Sequence, residues 1–195
     1  MSGRILEVNG RKGPFASETV SRGLLYLHGF ADVHAVKESW LPFHEQLAKS
    51  ARVIAPAHPG CAQSDENKDI DIIEDVVFHY LEVLDALKLD KFDLVGHCLG
   101  GWIAAELAAR HPEKLRKLVF IGASGLFVEG ALIGDIFMNA QPEFGESYAT
   151  LREMLFASST QPNALDMFPD GKGEIEDEVR RYQMLRLSSR IGFKP

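Results

Sequence analysis

The sequence predicts an α/β fold: a mainly parallel β-sheet flanked by helices in a three-layer α/β/α sandwich, with a helical segment at the C-terminal end. Three observations predict it. Short apolar runs rich in strand-forming residues alternate with helical patterns through the first two-thirds of the chain, as βα units require. Those runs are bounded by Gly, Pro and His-Gly breaks, so they are short enough for buried strands. After Gly125 the alternation stops and only helical patterns follow.

Ile5 to Val8 is the first strand-like run, and the Asn9-Gly10 pair after it is a strong hairpin signal, so the sheet is expected to begin with an antiparallel pair. Leu24-Leu25-Tyr26-Leu27 reads as the first buried strand, stopped by His28-Gly29. Trp40 to Lys49 reads as an amphipathic helix, and Val53-Ile54-Ala55 as the next strand, ending near Pro56 and Pro59-Gly60. From Asp71 to Leu87 the residues Ile73, Val76, Val77, Tyr80, Leu81, Leu84 and Leu87 recur on one helical face. Asp71 with Glu74 is the expected cap of that helix.

Phe92 to Val95 is a short strand, and Leu99 to Arg110 an alanine-rich helix closed by His111-Pro112. Leu118-Val119-Phe120-Ile121 reads as the last core strand. Beyond Gly125, Ala131 to Asn139, Tyr148 to Phe156 and Ile175 to Leu187 look helical, separated by loops containing Pro142, Pro162, Pro169 and Gly171. The expected division is therefore residues 1–125 as a core and 126–195 as a helical layer over it.

Length and composition bound the function. The 195 residues suffice for one sizeable core. Hydrophobic residues at 46% and charged residues at 25% are ordinary for a globular protein. A formal net charge of -7 leaves no electrostatic footprint for nucleic acid. No apolar run is long enough to span a membrane, and the start lacks the apolar stretch of a signal peptide, so a cytoplasmic protein with no membrane partner is expected. The seven histidines show no ligand spacing, so no metal and no other cofactor is expected. The two cysteines, Cys61 and Cys98, form neither a disulfide framework nor a zinc motif and must be read singly.

The chemistry concentrates in Gly96-His97-Cys98-Leu99-Gly100-Gly101, which follows a strand and opens a helix. A residue on so sharp a turn takes a strained backbone conformation, while Gly96 and Gly100 let strand and helix approach closely. The side chain of Cys98 is pushed out above the sheet edge, at the positive end of the helix, where thiolate is favoured. The bland alternative for Cys98 is a small buried hydrophobe, the usual fate of a free cysteine; the strand-turn-helix context favours the nucleophile position. Tyr26-Leu27-His28-Gly29-Phe30 forms a second feature. A strand ending in His-Gly suits a loop that donates a backbone N–H to a developing oxyanion, here from Phe30, while Leu99 N–H supplies the other donor. His28 and His97 read as structural side chains beside these turns. His34, His44, His58, His79 and His111 show no partner pattern.

Together, the stretches from about Leu24 to Gly125 resemble the α/β-hydrolase fold family, most closely its cap-bearing branch of esterases and carbon–carbon bond hydrolases. The resemblance implies a Ser-Asp-His type triad and a helical cap inserted after the strand ending near Ile121. Two departures stand out. The nucleophile position holds Cys98 where serine is usual. The family's triad acid and histidine lie on loops after the cap, and no residue of this chain matches either position, so the chain is expected to be a truncated member.

The resulting expectation is a hydrolase acting on a small-molecule ester, thioester or similar carbonyl substrate through nucleophilic acyl chemistry at Cys98, with weak or no turnover. Two rivals stand beside it. One is a non-catalytic binding or scaffold protein on the same fold. The other is a homo-oligomer in which a second chain completes the site across an open sheet edge.

Overall fold

The computed structural model describes residues 4–8, 11–15, 23–29, 42–62, 64–126, 129–130, 149–168 and 186–191. It begins with strands β1 (Arg4–Val8) and β2 (Arg11–Phe15), paired antiparallel with Val8 opposite Arg11. That register matches the hairpin expected there, although Asn9 and Gly10 themselves lie outside the described residues. The hairpin does not start the main sheet, however. It forms a two-stranded sheet of its own.

Among the described residues the main sheet has four strands in the order β4-β3-β5-β6, formed by β3 (Gly23–Leu27), β4 (Arg52–Ile54), β5 (Phe92–His97) and β6 (Leu115–Ile121), all parallel. Alternate side chains of its central strands bury into two separate cores, because successive strand residues face opposite ways. Leu25, Leu27, Ile54 and Leu94 join Val76, Val77, Tyr80 and Leu84 of α2 (Ile73–Ala86) and Ile103 and Leu107 of α3 (Leu99–Arg110). Leu24, Tyr26, Val53 and Val95 face the other way, against Leu47 and Ala48 of α1 (Pro42–Ala48). A parallel sheet covered on both faces is the three-layer sandwich that the uninterrupted apolar runs predict.

The long helix α2 carries the expected apolar face, but its cap differs. The Asp75 carboxylate accepts hydrogen bonds from the backbone N–H groups of Asp71 (2.9 Å) and Ile72 (3.1 Å). Glu74 instead pairs with Arg110 of α3 at 2.8 Å. A carboxylate in the first turn satisfies otherwise orphaned N–H groups and complements the helix dipole, and the one that reaches back is at position 75.

β6 departs from expectation in its burial. Its sequence reads as a buried strand next to an open edge; among the described residues it is the edge strand, and Leu118, Val119 and Phe120 are 37%, 47% and 43% exposed. Inner β5 holds it through the backbone ladder and through Arg116, which donates to the carbonyl of Gly23 (2.9 Å) and pairs with the buried Asp93 (3.3 Å).

After β6 the described chain is helical. α4 (Ala149–Leu155) falls within the expected Tyr148 to Phe156 span. α5 (Pro162–Met167) occupies a stretch expected to be loop, because Pro162 stands in the first turn, where a missing N–H costs nothing. A further helical turn covers 186–190, extending beyond the expected end at Leu187. The expected helix Ala131 to Asn139 lies outside the described residues. Phe168, Leu187 and Ile191 pack into the same core as α2 and α3. Arg186 and Arg190 both pair with Glu66, and Arg190 also reaches Asp71 and the carbonyls of Asn67 and Lys68, tying 186–190 to the segment before α2. No helix among the described residues is long and apolar enough to cross a membrane.

The Asp75 cap makes a direct prediction. Asp75→Ala should cost about 1 kcal/mol in urea unfolding, whereas Glu74→Ala, which removes only a surface ion pair, should leave the midpoint nearly unchanged.

Candidate active site

The strand order creates the site. From β3 the chain moves to one side to make β4, then crosses back to make β5 on the other side of β3. In open α/β sheets a crevice forms at the carboxyl ends of the two strands flanking such a reversal. Here those ends are His28-Gly29 after β3 and Cys98 after β5.

Cys98 sits between β5 and α3 with φ 51° and ψ -117°. This lies far from the left-handed helical well, where ψ is near +47°, and such a conformation costs a non-glycine residue on the order of 1–3 kcal/mol. Backbone hydrogen bonds hold it there. Cys98 N–H donates to the carbonyl of Ile121 (3.0 Å), and its own carbonyl accepts from Gly101 (2.9 Å) and Ser124 (2.9 Å). The turn thus hangs from the end of β6 on one side and the first turn of α3 on the other.

The glycines around it have no room for a side chain. A Cβ at Gly100 would lie 2.1 Å from the carbonyl oxygen of Leu27, one at Gly96 would lie 2.4 Å from the carbonyl oxygen of Gly100, and one at Gly29 would lie 2.4 Å from Cβ of Cys98. The two turns therefore touch through bare backbone, and Gly100 N–H donates to the carbonyl of His28 at 3.1 Å. Leu99 is buried and is the first residue of α3, so its N–H has no acceptor within the helix. His28, Gly29, Cys98, Leu99 and Gly100 are brought together as the sequence suggests. Gly96 and the half-buried His97 end β5 beneath them. Phe30, the other expected oxyanion donor, lies outside the described residues.

Cys98 Sγ lies 3.5 Å from the hydroxyl oxygen of Ser124, and the residue is half-buried. Ser124 had no distinguishing signal in sequence; only the β5–β6 pairing brings it under the turn. His58 is a second residue that sequence reading passed over. Its backbone N–H donates to Nε2 of His28 (3.0 Å), its Nε2 contacts the carbonyl of His28 (2.8 Å) and its Nδ1 contacts the hydroxyl of Tyr80 (2.5 Å). The two imidazole rings stack 3.9 Å apart. Among the described residues no group of three or more His, Cys, Asp or Glu is arranged to hold a metal ion. A cavity of about 260 Å³ lies elsewhere, between Pro59-Gly60 and Arg186, and Cys98 is not part of its lining.

The second cysteine contrasts with the first. Cys61 is buried, and burial pushes its thiol from an ordinary 9.0 up to about 12. Its neutral form is favoured in the folded protein, so its contribution to stability is complete below pH about 9 and is lost as pH rises from there towards about 12.

Comparison with known proteins follows the same residues. The family profile described as the alpha/beta hydrolase fold matches residues 24–188. The 2-hydroxymuconate semialdehyde hydrolase of Pseudomonas sp. strain CF600 is 35% identical over 176 residues, covering 87% of this chain and 55% of that protein. The 2-hydroxy-6-oxo-2,4-heptadienoate hydrolase of Pseudomonas putida is 30% identical over 193 residues, covering 98% of this chain and 64% of that protein. A solved structure of a probable hydrolytic enzyme from Pseudomonas aeruginosa superposes with a TM-score of 0.66 at 18% identity, over 98% of this chain and 66% of that one. This chain spans 55% and 64% of the length of the two curated relatives.

Two measurements check the site's construction. Gly100→Ala should destabilise the protein by about 3 kcal/mol in urea unfolding, since the backbone of Leu27 cannot yield as a flexible side chain could. At mildly alkaline pH, iodoacetamide should label Cys98 in the native protein and spare Cys61, with both labelled in guanidinium chloride; peptide mass spectrometry distinguishes the two.

Proposed function

The chain belongs to the α/β-hydrolase fold family, and from that premise we propose that it carries acyl-type hydrolase chemistry on a small carbonyl substrate, with Cys98 as nucleophile. The observation that carries this reading is the strained Cys98 turn at the sheet's reversal point, pressed against bare backbone at Gly29. Strain of this kind persists where the surrounding structure over-determines it, and it clusters at reactive sites. Substrate would enter above the carboxyl ends of β3 and β5, and the role assigned in this reading to residues 126–195 is that of a cap.

In this mechanism the sulfur of Cys98 attacks the carbonyl carbon. A C–S bond forms, and the π electrons of the carbonyl move to its oxygen. The N–H groups of Leu99 and Phe30 receive that oxyanion, and loss of such a donor costs about 100-fold or more in rate. Collapse expels the leaving group, which needs a proton, and water then hydrolyses the thioester.

The proton transfers limit the rate. A nucleophile of this type works with an adjacent base. Among the described residues the hydrogen-bond partner of Cys98 Sγ is the Ser124 hydroxyl, which takes up no proton near neutral pH. With no base beside the sulfur among the described residues, the reading expects weak turnover, with acylation outpacing deacylation. The names of the two curated relatives suggest a substrate class, hydroxy-dienoate compounds carrying an oxo or aldehyde carbon, cleaved by hydrolysis.

A 4-nitrophenyl ester and 2-hydroxymuconate semialdehyde test the proposal. The ester should give a stoichiometric burst of nitrophenol followed by slow turnover, with acyl mass on the Cys98 peptide. Cys98→Ala should abolish the burst. A burst that survives Cys98→Ala would sink the nucleophile assignment; fast steady turnover that Cys98→Ala abolishes would overturn only the weakness. The exposed apolar edge at β6 favours a second reading, in which a second copy pairs along this strand and completes the site. Light scattering decides it, since a monomeric mass at assay concentration removes it.

A further inference from the structure

We propose that Tyr80, His58 and His28 form a buried hydrogen-bond chain that holds the His28-Gly29 turn in place over Cys98, making Tyr80 and His58 positioning residues for the site that receives the carbonyl oxygen. The proposal rests on Cys98 being the nucleophile.

The three side chains come from three separate parts of the chain: the end of β3, the turn after β4 and the middle of α2. All three residues are fully buried, at 0% exposure. Burying a polar group is costly unless its hydrogen bonds are made, so a phenylalanine at position 80 would fill the same core without that demand. The polar groups are retained in an arrangement whose hydrogen-bond directions can be worked out atom by atom.

His28 Nε2 accepts from the backbone N–H of His58, so the proton of a neutral His28 is on Nδ1, which donates to the carbonyl of Gly29 at 3.0 Å. The partner of His58 Nε2 is a carbonyl oxygen, which can only accept, so Nε2 of His58 carries a proton and donates. Nδ1 of a neutral His58 is then an acceptor, and the Tyr80 hydroxyl donates to it. Burial raises the Tyr80 phenol above its ordinary range, with Cys61 nearby adding to the effect, so the hydroxyl keeps the proton it must donate. Direction runs without conflict from Tyr80 through His58 to the carbonyl of His28.

That carbonyl is the connection to the reacting centre. It accepts from His58 Nε2 (2.8 Å) and also from Gly100 N–H (3.1 Å) in the first turn of α3. The next residue, Gly29, abuts Cys98 so closely that a Cβ there would lie 2.4 Å from Cβ of Cys98. The chain therefore clamps one turn against the other. If the clamp loosens, the His28-Gly29 turn shifts relative to the sulfur and to the first turn of α3, and misplacement of about 1 Å at a reacting centre costs about 100-fold.

Two probes separate this role from simple structural support. An aryl trifluoromethyl ketone adds reversibly to a thiol: the S–C bond forms, the carbonyl π pair becomes an alkoxide, and the thiol proton goes to solvent. That adduct needs oxyanion donors. Iodoacetamide alkylates the same sulfur by displacing iodide and forms no oxyanion.

In Tyr80→Phe the ketone affinity should fall about 10-fold, while the alkylation rate stays within about 2-fold of wild type. His58→Leu should lose about 100-fold in ketone affinity, and His58→Gln, whose amide N–H can replace Nε2–H, should recover most of it. Parallel loss of ketone affinity and alkylation would mean that these residues only support the fold, and unchanged ketone affinity in Tyr80→Phe would also overturn the proposal. A wild-type protein that is alkylated at Cys98 but forms no ketone adduct would remove the oxyanion site and this proposal together. Absence of alkylation at Cys98 would remove the nucleophile reading itself.

Discussion

Everything at the crevice depends on backbone meeting backbone without side chains between. The carbonyl oxygen of Leu27 occupies the space that a side chain at position 100 would need, and Gly96 is enclosed by the carbonyl of Gly100 and by Ala104. Gly101 is equally confined, with Ala123 against the position of its absent Cβ. Because β5, α3 and the ends of β3 and β6 converge this tightly, position 98 cannot relax to an ordinary helical or extended conformation. The strain at Cys98 is a consequence of close packing.

Close packing also explains why the surrounding polar groups are so completely arranged. Once two turns are in van der Waals contact, their carbonyls and N–H groups lose access to water and need internal partners. The carbonyl of Cys98 finds them in Gly101 and Ser124, and that of His28 in Gly100 and His58. The bonds from Ser124, Gly100 and His58 each join different parts of the fold, so the site is a junction and not a loop laid on a surface. The switch in strand order supplies the crevice, and the glycines let the junction close beneath it.

Much of this was legible in the sequence, for identifiable reasons. The apolar runs of β3 and β5 are too short for helices and end at His-Gly or Gly-His, so strand and turn coincide. The spacing of Gly96 and Gly100 around Cys98 specifies a tight strand-to-helix bend. What escaped notice depends on contacts remote in sequence. His58 stands 30 residues from His28 and 22 from Tyr80, and nothing local marks either pairing. The open sheet edge expected after Ile121 is where the described strands place β6, but periodicity alone could not show how far its apolar side chains would be exposed. Asp71 and Glu74 matched a familiar capping pattern, yet the carboxylate that reaches the free N–H groups belongs to Asp75. Pro162 looked like a loop residue because proline breaks helices far more often than it opens them.

The two cysteines show how far placement alone decides chemistry. Cys61 lies in the apolar core beside α2, where burial holds its thiol neutral up to about pH 12 and leaves it no route to an electrophile. Cys98 has the same side chain on a half-buried turn, at the positive end of a helix and beside a hydroxyl. Attack on a carbonyl needs a sulfur, donors for the oxygen and a carrier for protons. The described residues place a sulfur at the crevice with the Leu99 N–H beside it, and the group facing the sulfur is a serine. A serine hydroxyl can orient a thiol but does not serve as its general base near neutral pH. Among the described residues, then, the strained turn sets a sulfur beside a hydroxyl and a main-chain donor, an arrangement fixed by the junction and not by any local sequence pattern.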